Sequence, residues 1–378
     1  MTKESIKIGV LFSQTGPMAV TENAHIQGIL LACEQINAGG GVNGQPLEPV
    51  VLDPGGDDRK YAECATELFI QHQVNVIFGC CLSTSRKAVL PIVERYNGVL
   101  FYPSVYEGFE YSPSVIYGGA VPNQVVLPLL DYIFRHQGSR IALIGSDTLY
   151  AREINRIVNE FLDESGGIRT FEAYVDFGAG SETFGPAIEQ IRGSEPDAIV
   201  STVVGQDSVT FYDTFAAADL IGGELPIASL TTTESELARM RPEARAGHLS
   251  VASYFSSLNN DENRTFLDLF ADRYPANGPP CVYTEVCYVQ VHLLADALRV
   301  GSGLDTNSIL AALSGAVFKG PGGNVYVDPG TNHTAARQHI GRATEAGTFD
   351  IVWSGTSVVV PDPYLVSYER SLGGELVE

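Results

Sequence analysis

Three hydroxyl side chains stand just past two apolar stretches of the chain, where they could hold a small polar molecule. Ser83 follows the stretch Val76–Gly79, while Tyr102 and Ser104 close the next one. The intervening pattern is strand, helix, strand, which places all three hydroxyls beyond the carboxyl ends of neighbouring strands, where open α/β sheets bind ligands. Because this segment ends in hydroxyls and a helix amino terminus, without a catalytic carboxylate or histidine, it favours binding a molecule over transforming it.

Hydroxyl groups follow strands in the second half of the chain as well. Tyr150 closes the segment Gly145–Tyr150 between a strand and a helix, and packing on that helix is an equally good explanation for it. Two further strand ends, Ser201–Gly205 and Leu230–Glu234, carry hydroxyls, and Thr233 is expected to cap a helix. Hydroxyls and apolar surface together suit an uncharged polar ligand. An α-amino acid would need a charged partner for its ammonium group, and none stands out.

Ser83 also has a purely structural explanation. Ser83, Thr84 and Ser85 precede an apolar helical stretch, and a serine in that position commonly caps the helix. A cap explains one of the three hydroxyls and leaves Tyr102 and Ser104 unexplained. We therefore favour a ligand role for Ser83.

The remaining motifs predict structural roles. Gly39–Gly44 follows a helix and is not followed by Lys-Ser/Thr, so it predicts a helix end rather than a phosphate loop. Asp53, Asp57 and Asp58 lack the spacing of a calcium loop and predict turns and a helix cap. The seven histidines show no metal-binding spacing, and no Gly-x-Ser-x-Gly sequence occurs. We therefore expect no catalytic residues, no metal site and no cofactor, hence a protein that is not an enzyme.

The composition favours a protein of two domains that binds neither nucleic acid nor membrane. Its 378 residues are too many for one compact core. The net charge of −22, with 23 lysine and arginine residues, disfavours a phosphate-binding surface, so contact with RNA would run through a partner protein. The sequence contains no run of about 18 apolar residues that could span a bilayer.

The beginning of the chain and its cysteines favour the cytoplasm. Residues 1–5 lead straight into the predicted strand Ile6–Phe12, which leaves no room for the apolar segment of a secretory signal. The six cysteines lack C-x-x-C spacing and mostly lie in apolar stretches, so we expect reduced thiols. A periplasmic location is the alternative if a signal peptide has been removed.

Strand and helix signals alternate along the chain from residue 6 to residue 240. This repetition predicts an α/β fold with two mostly parallel sheets flanked by helices, and the rhythm restarts after Gly119. Further helices follow, then a Gly/Pro-rich stretch at Gly320–Asn324 and a hairpin centred on Glu345–Gly347. The two halves could be one fold used twice.

Short motifs spread over the chain carry a resemblance to a known family. They are Gly9–Gly16, Glu34–Asn37, Asp53–Gly56, Ser85–Val89, Tyr106–Pro113, Tyr117–Gly119, Pro122–Gln124, Gly145–Asp147, Ser201–Gly205, Ile227–Thr232, Tyr254–Ser257 and Pro361–Tyr364. With them the chain resembles the amide- and urea-binding branch of the type I periplasmic-binding-protein family. Within that branch it is most similar to amide sensors that negatively regulate amidase expression.

The resemblance implies two lobes, joined by three crossovers, that close on a ligand between them. The expected lobes are 1–119 plus 252–326 and 120–251 plus 327–378, with crossovers near 118–121, 250–254 and 324–329. The ligand-binding residues implied at the matching positions, with the adjoining strand ends, are Ser83, Tyr102, Ser104, Cys81 and Val105 in the first lobe and Thr148, Tyr150, Gly205 and Thr231 in the second.

This chain departs from its relatives at three of these positions. Cys81 stands where relatives have a large aromatic residue, Thr148 where they have tyrosine, and Val105 where the sensor has proline. The first two changes each remove a ring from the expected wall, so we expect a pocket roomier than acetamide or urea requires.

The resemblance leads to a functional hypothesis with an alternative. The hypothesis is a cytoplasmic, ligand-gated sensor of short aliphatic amides that sequesters an RNA-binding antiterminator protein. The alternative is the solute-binding subunit of an ABC importer for urea or short-chain amides. Neither needs direct contact with nucleic acid or insertion into a membrane, and a homo-oligomer stays open.

Overall fold

A computed structural model of the protein describes residues 4–301, 303–366 and the backbone of 374–376. The first part of the chain forms β1 (Ile6–Leu11), α1 (Ala19–Ala38), β2 (Leu47–Leu52), α2 (Asp58–Ile70), β3 (Val76–Gly79), α3 (Ser83–Arg95), β4 (Val99–Tyr102) and β5 (Val115–Tyr117). These bounds match the predicted alternation of strands and helices.

The middle of the chain repeats the alternation, again as predicted. Its elements are α4 (Pro122–His136), β6 (Arg140–Ser146), α5 (Leu149–Ser165), β7 (Ile168–Val175), α6 (Ser181–Gly193), β8 (Ala198–Thr202), α7 (Gln206–Ala217), β9 (Ile227–Ser229), α8 (Glu234–Leu237), α9 (Pro242–Arg245) and β10 (Leu249–Ala252).

The last part is more mixed. Its elements are α10 (Asp261–Arg273), α11 (Val282–Val300), α12 (Thr306–Leu313), β11 (Val317–Gly320), β12 (Gly323–Val327), β13 (Thr334–Ala335), β14 (His339–Ala343), β15 (Phe349–Gly355) and β16 (Gly374–Leu376). The hairpin centred on residues 345–347 is confirmed as β14 and β15. Strands β11 and β12 form a second hairpin, which the sequence analysis missed because it treated Gly320–Asn324 only as a breaker.

Contacts between residues divide the chain into two compact units. The first unit contains residues up to Tyr106, Glu110–Ala120 and Asn260–Ala336, and the second contains Glu107–Phe109, Val121–Asn259 and the residues from Arg337 onward. The lobe boundaries expected at 119, 251 and 326 stay a prediction, because a contact cluster and a lobe need not end at the same residue.

The sheet of the first unit is parallel and has the strand order β2-β1-β3-β4-β5. Its central strands are buried on both faces by helices, which accounts for their continuous apolar sequences. The direction of winding reverses between β1 and β3. In doubly wound sheets ligands bind beyond the carboxyl ends of the strands at such a reversal.

The sheet of the second unit repeats this order with different strands. Its parallel part runs β7-β6-β8-β9-β10, which is again second, first, third, fourth, fifth in chain order. Strands β14, β15 and β16 then extend the sheet in antiparallel fashion. The shared order is what one fold used twice would produce. Within the described residues, no helix has both the length and the apolar content needed to cross a bilayer.

Helices α1 and α11 of the first unit approach each other closely at a glycine. A Cβ atom on Gly28 would lie 2.1 Å from the backbone oxygen of Thr284. By contrast, a Cβ atom on Gly185 in α6 would meet no atom within 4 Å. Gly28 therefore sets the distance between two helices, whereas Gly185 only lowers the helical propensity of α6.

We predict that Gly28→Ala destabilises the protein by about 1–3 kcal/mol, because the added methyl group forces α1 and α11 apart. The matched control, Gly185→Ala, should instead stabilise it by up to about 1 kcal/mol through helix propensity. Thermal unfolding followed by circular dichroism measures both variants. A Gly28→Ala variant as stable as the parent would show that close packing at Gly28 does not fix the distance between α1 and α11.

Candidate functional site

Ser83 lies at the carboxyl edge of the first unit's sheet, where the predicted residues of that unit also lie. The helix cap expected at Ser83 is wrong, because Leu82 occupies the cap position and Ser83 is the first residue of α3. Ser85 instead uses its hydroxyl to donate to the carbonyl of Leu82, at 2.8 Å. The capping explanation of Ser83 therefore fails, and its buried hydroxyl lies within reach of the Arg86 side chain.

Tyr102 and Ser104 use their hydroxyls to hold the turn that follows β3. The Tyr102 hydroxyl donates to the Cys81 carbonyl at 2.8 Å, and the Ser104 hydroxyl lies 3.1 Å from Nε2 of His25 and 3.4 Å from the Cys80 carbonyl. Cys80 has a φ of 70°, which is unusual for a residue with a side chain. These bonds fix the backbone conformation on which Cys81 and Ser83 stand.

A buried arginine, which the sequence analysis did not single out, lies behind Ser83 and Tyr102. The guanidinium of Arg86 is wholly inaccessible, and its Nε donates to Oε1 of Glu110 at 2.6 Å. Its Nη1 lies 3.5 Å from the Ser83 hydroxyl. Its Cζ lies 4.7 Å and 4.6 Å from the ring centroids of Tyr102 and Tyr106. Arg86 thus contacts two of the predicted ligand residues.

Glu110 neutralises this guanidinium and accepts a second cation. Lys87 donates to Oε2 of Glu110 at 2.8 Å from the outer side. Although burial opposes ionisation, the hydrogen bonds and charges of Arg86 and Lys87 hold the pKa of Glu110 below its usual value. The motif Ser85–Val89 contains both cations, but nothing in it indicates a partner 24 residues away.

An aromatic stack continues from Arg86 into the interior of the first unit. Tyr106 lies 5.2 Å from Tyr117, and Tyr117 lies 4.2 Å from His333 with nearly parallel rings. The Tyr106 hydroxyl also hydrogen bonds to Nε2 of His333. Burial lowers the pKa of His333 to about 4, so this ring is neutral near pH 7.

The cysteines behave as predicted. All six lie in the described part of the chain, and none is paired in a disulfide. Cys81 is 9% exposed beside Ser83, and burial raises the pKa of Cys80 and Cys287, which keeps both thiols protonated. Val105 is half-buried next to Ser104. Among the described residues, no group of histidine, cysteine, aspartate and glutamate side chains could hold a metal ion.

In the second unit, Thr148 uses its hydroxyl as a helix cap. Thr148 precedes α5, and its Oγ1 accepts from the backbone N–H of Ala151 at 3.1 Å. The ligand role predicted for Thr148 stays a prediction, and its role as the cap of α5 was not predicted. The cap at Thr233 is confirmed, with a reciprocal bond to Glu236.

Tyr150 stands out because its hydroxyl has no hydrogen-bond partner. The residue is 7% exposed, and its hydroxyl is buried. Burial and the nearby carboxylate of Glu107 raise the pKa of this phenol, so the hydroxyl keeps its proton. Glu107 is itself 4% exposed and was not recognised from the sequence. A buried hydroxyl without a partner is rare and calls for an explanation.

Gly205 and Thr231 shape the neighbouring strand ends. Gly205 caps α7 with a φ of 62° and a ψ of −139°, a conformation open mainly to glycine. The Thr231 hydroxyl donates to the Val203 carbonyl at 3.0 Å. Both residues therefore have local structural roles beside their predicted ligand roles.

A groove of about 240 Å³ lies elsewhere on the first unit. Its lining includes Ile6 and Val76, the first residues of β1 and β3, together with Leu298 and Ile309. This is the amino edge of the sheet, opposite the predicted residues, and it contains none of them.

Relatives named as amino-acid-binding proteins, or as homologs of such proteins, match most of this chain. The leucine-, isoleucine-, valine-, threonine- and alanine-binding protein of Pseudomonas aeruginosa is 23% identical over 341 residues, covering 87% of each chain. The Leu/Ile/Val-binding protein homolog 7 of Brucella abortus is 22% identical over 337 residues, covering 82% of this chain and 80% of that protein.

One match to an enzyme is confined to a segment. Limonene hydroxylase of Geobacillus stearothermophilus is 33% identical over 126 residues, which are 32% of this chain and 22% of that protein. Since the chain spans only about a fifth of that relative, the match assigns no activity. The relatives that cover most of the chain are binding proteins, which confirms that this protein is not an enzyme.

Solved structures share the fold. A Rhodopseudomonas palustris solute-binding protein in complex with benzoate has a TM-score of 0.84 and 20% identity, covering 95% of this chain and 98% of that one. The LivJ protein of Streptococcus pneumoniae, in complex with isoleucine, has a TM-score of 0.82 and 20% identity, covering 92% and 99%. The predicted two-lobed α/β fold is confirmed.

A family model described as periplasmic binding protein domain matches residues 6–370. This match supports the periplasmic alternative for location and gives no support to the cytoplasmic expectation. The narrower amide-binding branch is not confirmed by these similarities. The chain belongs to the type I periplasmic binding protein family.

Proposed function

We propose that this chain is the solute-binding subunit of an ABC importer and that its ligand is a small uncharged amide or urea-like molecule. Binding-protein relatives along most of the chain support the first part. The hydroxyl-bearing strand ends within each unit support the second part. No cofactor is part of this proposal.

The observation that carries the proposed ligand class is the unpaired hydroxyl of Tyr150. Leaving such a group buried without a partner costs about 1–3 kcal/mol, which a ligand with a matching polar group would recover. The carboxylate of Glu107 near it can accept N–H groups. A primary amide supplies both kinds of group, since its oxygen accepts from a phenol and its NH₂ donates to a carboxylate.

The charges in the first unit support an uncharged ligand. Arg86 already has its carboxylate in Glu110, so its charge is compensated before any ligand arrives. Benzoate and isoleucine, which are bound by the similar proteins, both carry a carboxylate that needs a donor of its own. Glu107 can receive an ammonium group, but the pairing with Glu110 leaves Arg86 poorly suited to bind the carboxylate of an amino acid.

The small side chains of Cys81 and Thr148 support a ligand larger than acetamide. We propose that Cys81 and Thr148, in place of aromatic residues, leave room for one or two further methylene groups. Each buried methylene adds about 0.8 kcal/mol, or roughly fourfold in affinity. We therefore favour propionamide or butyramide over acetamide and urea.

A second candidate function is the cytoplasmic amide sensor with an antiterminator partner. It is favoured by the series of motifs from residue 9 to residue 364, which resembles such sensors. The binding-protein relatives favour import. Neighbouring genes distinguish the two functions, because permease genes support import while amidase and antiterminator genes support sensing.

We predict that isothermal titration calorimetry detects binding of short aliphatic amides, with affinity rising about fourfold per methylene from acetamide to butyramide. Urea, leucine and benzoate serve as comparison ligands, and leucine and benzoate should bind far more weakly. Tight binding of leucine or benzoate, with no heat of binding from any amide, would contradict the proposed ligand class.

We predict opposite effects of Tyr150→Phe on stability and on binding. Without ligand, the variant should be at least as stable as the parent, because it removes an unpaired buried hydroxyl. Its affinity for butyramide should fall about tenfold with the loss of one hydrogen bond. Thermal unfolding and calorimetry on the same samples test both effects.

The matched control is Tyr102→Phe, because the Tyr102 hydroxyl has a partner in the Cys81 carbonyl. That variant should lose about 1 kcal/mol of stability. A Tyr150→Phe variant that loses stability as Tyr102→Phe does, yet keeps full affinity for butyramide, would show that the Tyr150 hydroxyl serves the fold and not a ligand.

A further inference from the structure

Arg86 and Glu110 form a buried ion pair next to Ser83, at the carboxyl edge of the sheet. Arg86 is wholly buried, and the Glu110 side chain is 12% exposed. Two bonds join them, from Nε to Oε1 at 2.6 Å and from Nη2 to Oε2 at 3.4 Å. Such a fork-to-fork pairing leaves little net charge at the guanidinium.

The guanidinium lies beside the hydroxyl of Ser83, one of the residues for which we propose a ligand role. Its Nη1 is 3.5 Å from the Ser83 hydroxyl, and Ser83 begins α3, a helix of 13 residues. A helix amino terminus and a cation behind it both favour negative charge. Without Glu110, this edge of the sheet would therefore attract a carboxylate.

Lys87 does not replace Arg86 in this role. Its ammonium also contacts Glu110, but its side chain is 49% exposed and water screens its charge. The buried guanidinium is less screened and acts over a longer range. The balance between Arg86 and Glu110 therefore affects the electrostatic environment of Ser83 more than Lys87 does.

We infer that Glu110 is a specificity-determining residue, which makes the site prefer an amide to the carboxylate of the same shape by neutralising Arg86 behind Ser83. This inference rests on the proposed amide function. Glu110 does not contact the ligand in this proposal and acts only through Arg86. Acetamide and acetate provide the test pair, because they have nearly the same shape and differ in charge.

The test variant is Glu110→Gln in the full chain. Glutamine keeps an oxygen that can accept from Arg86 but removes the negative charge. Calorimetry, with competition where binding is weak, gives the Kd of acetamide and of acetate. The ratio of the two Kd values should shift toward acetate by at least about tenfold, because the guanidinium charge is now uncompensated.

The matched control is Glu94→Gln, which removes a carboxylate from α3, the helix that contains Arg86. Glu94 accepts from the Ser112 hydroxyl at 2.8 Å. The ratio should stay at the parent value in this variant. The double variant Arg86→Met/Glu110→Gln removes both charges and should return the ratio toward that of the parent.

The binding measurements distinguish a wrong role for Glu110 from a wrong ligand class. Parallel weakening of both ligands in Glu110→Gln, with an unchanged ratio, overturns the inference and leaves Glu110 a structural role. A parent protein that binds acetate and no amide overturns the proposed function itself. A shifted ratio in Glu110→Gln alone supports the inference, whether or not the double variant folds.

Discussion

The burial of one guanidinium constrains the whole carboxyl edge of the first unit. Arg86 has no access to water, so its charge and its donors must be matched by protein groups. Glu110 supplies the charge, while the rings of Tyr102 and Tyr106 both pack against the guanidinium. Because Tyr102 in turn donates to the carbonyl of Cys81, the arginine packs against a residue that holds the turn after β3.

Hydrogen bonding separates the two kinds of tyrosine in this protein. Tyr102 and Tyr106 are anchored by partners in their own unit, so they form a fixed wall. Tyr150 is also buried, but its hydroxyl has no hydrogen-bond partner. This combination favours ligand binding. The fixed groups provide a preorganised surface, and the unsatisfied hydroxyl gains a hydrogen bond when a ligand binds. The function we propose follows from that difference.

The sequence predicted what local patterns determine. The alternation of strands and helices, the cap at Thr233 and the reduced cysteines follow from periodicity, capping chemistry and spacing. The cap expected at Ser83 was wrong because Leu82 takes that position, and the cap at Thr148 was missed. The pairing of Arg86 with Glu110 could not be predicted, because the fold alone brings their distant chain segments together.

A crystal structure of the protein with butyramide would show whether the Tyr150 hydroxyl binds the ligand. We predict a polar atom of butyramide within about 2.7–3.2 Å of the Tyr150 hydroxyl oxygen. Butyramide bound only in the groove at the amino ends of β1 and β3, with the Tyr150 hydroxyl still unpaired, would contradict it.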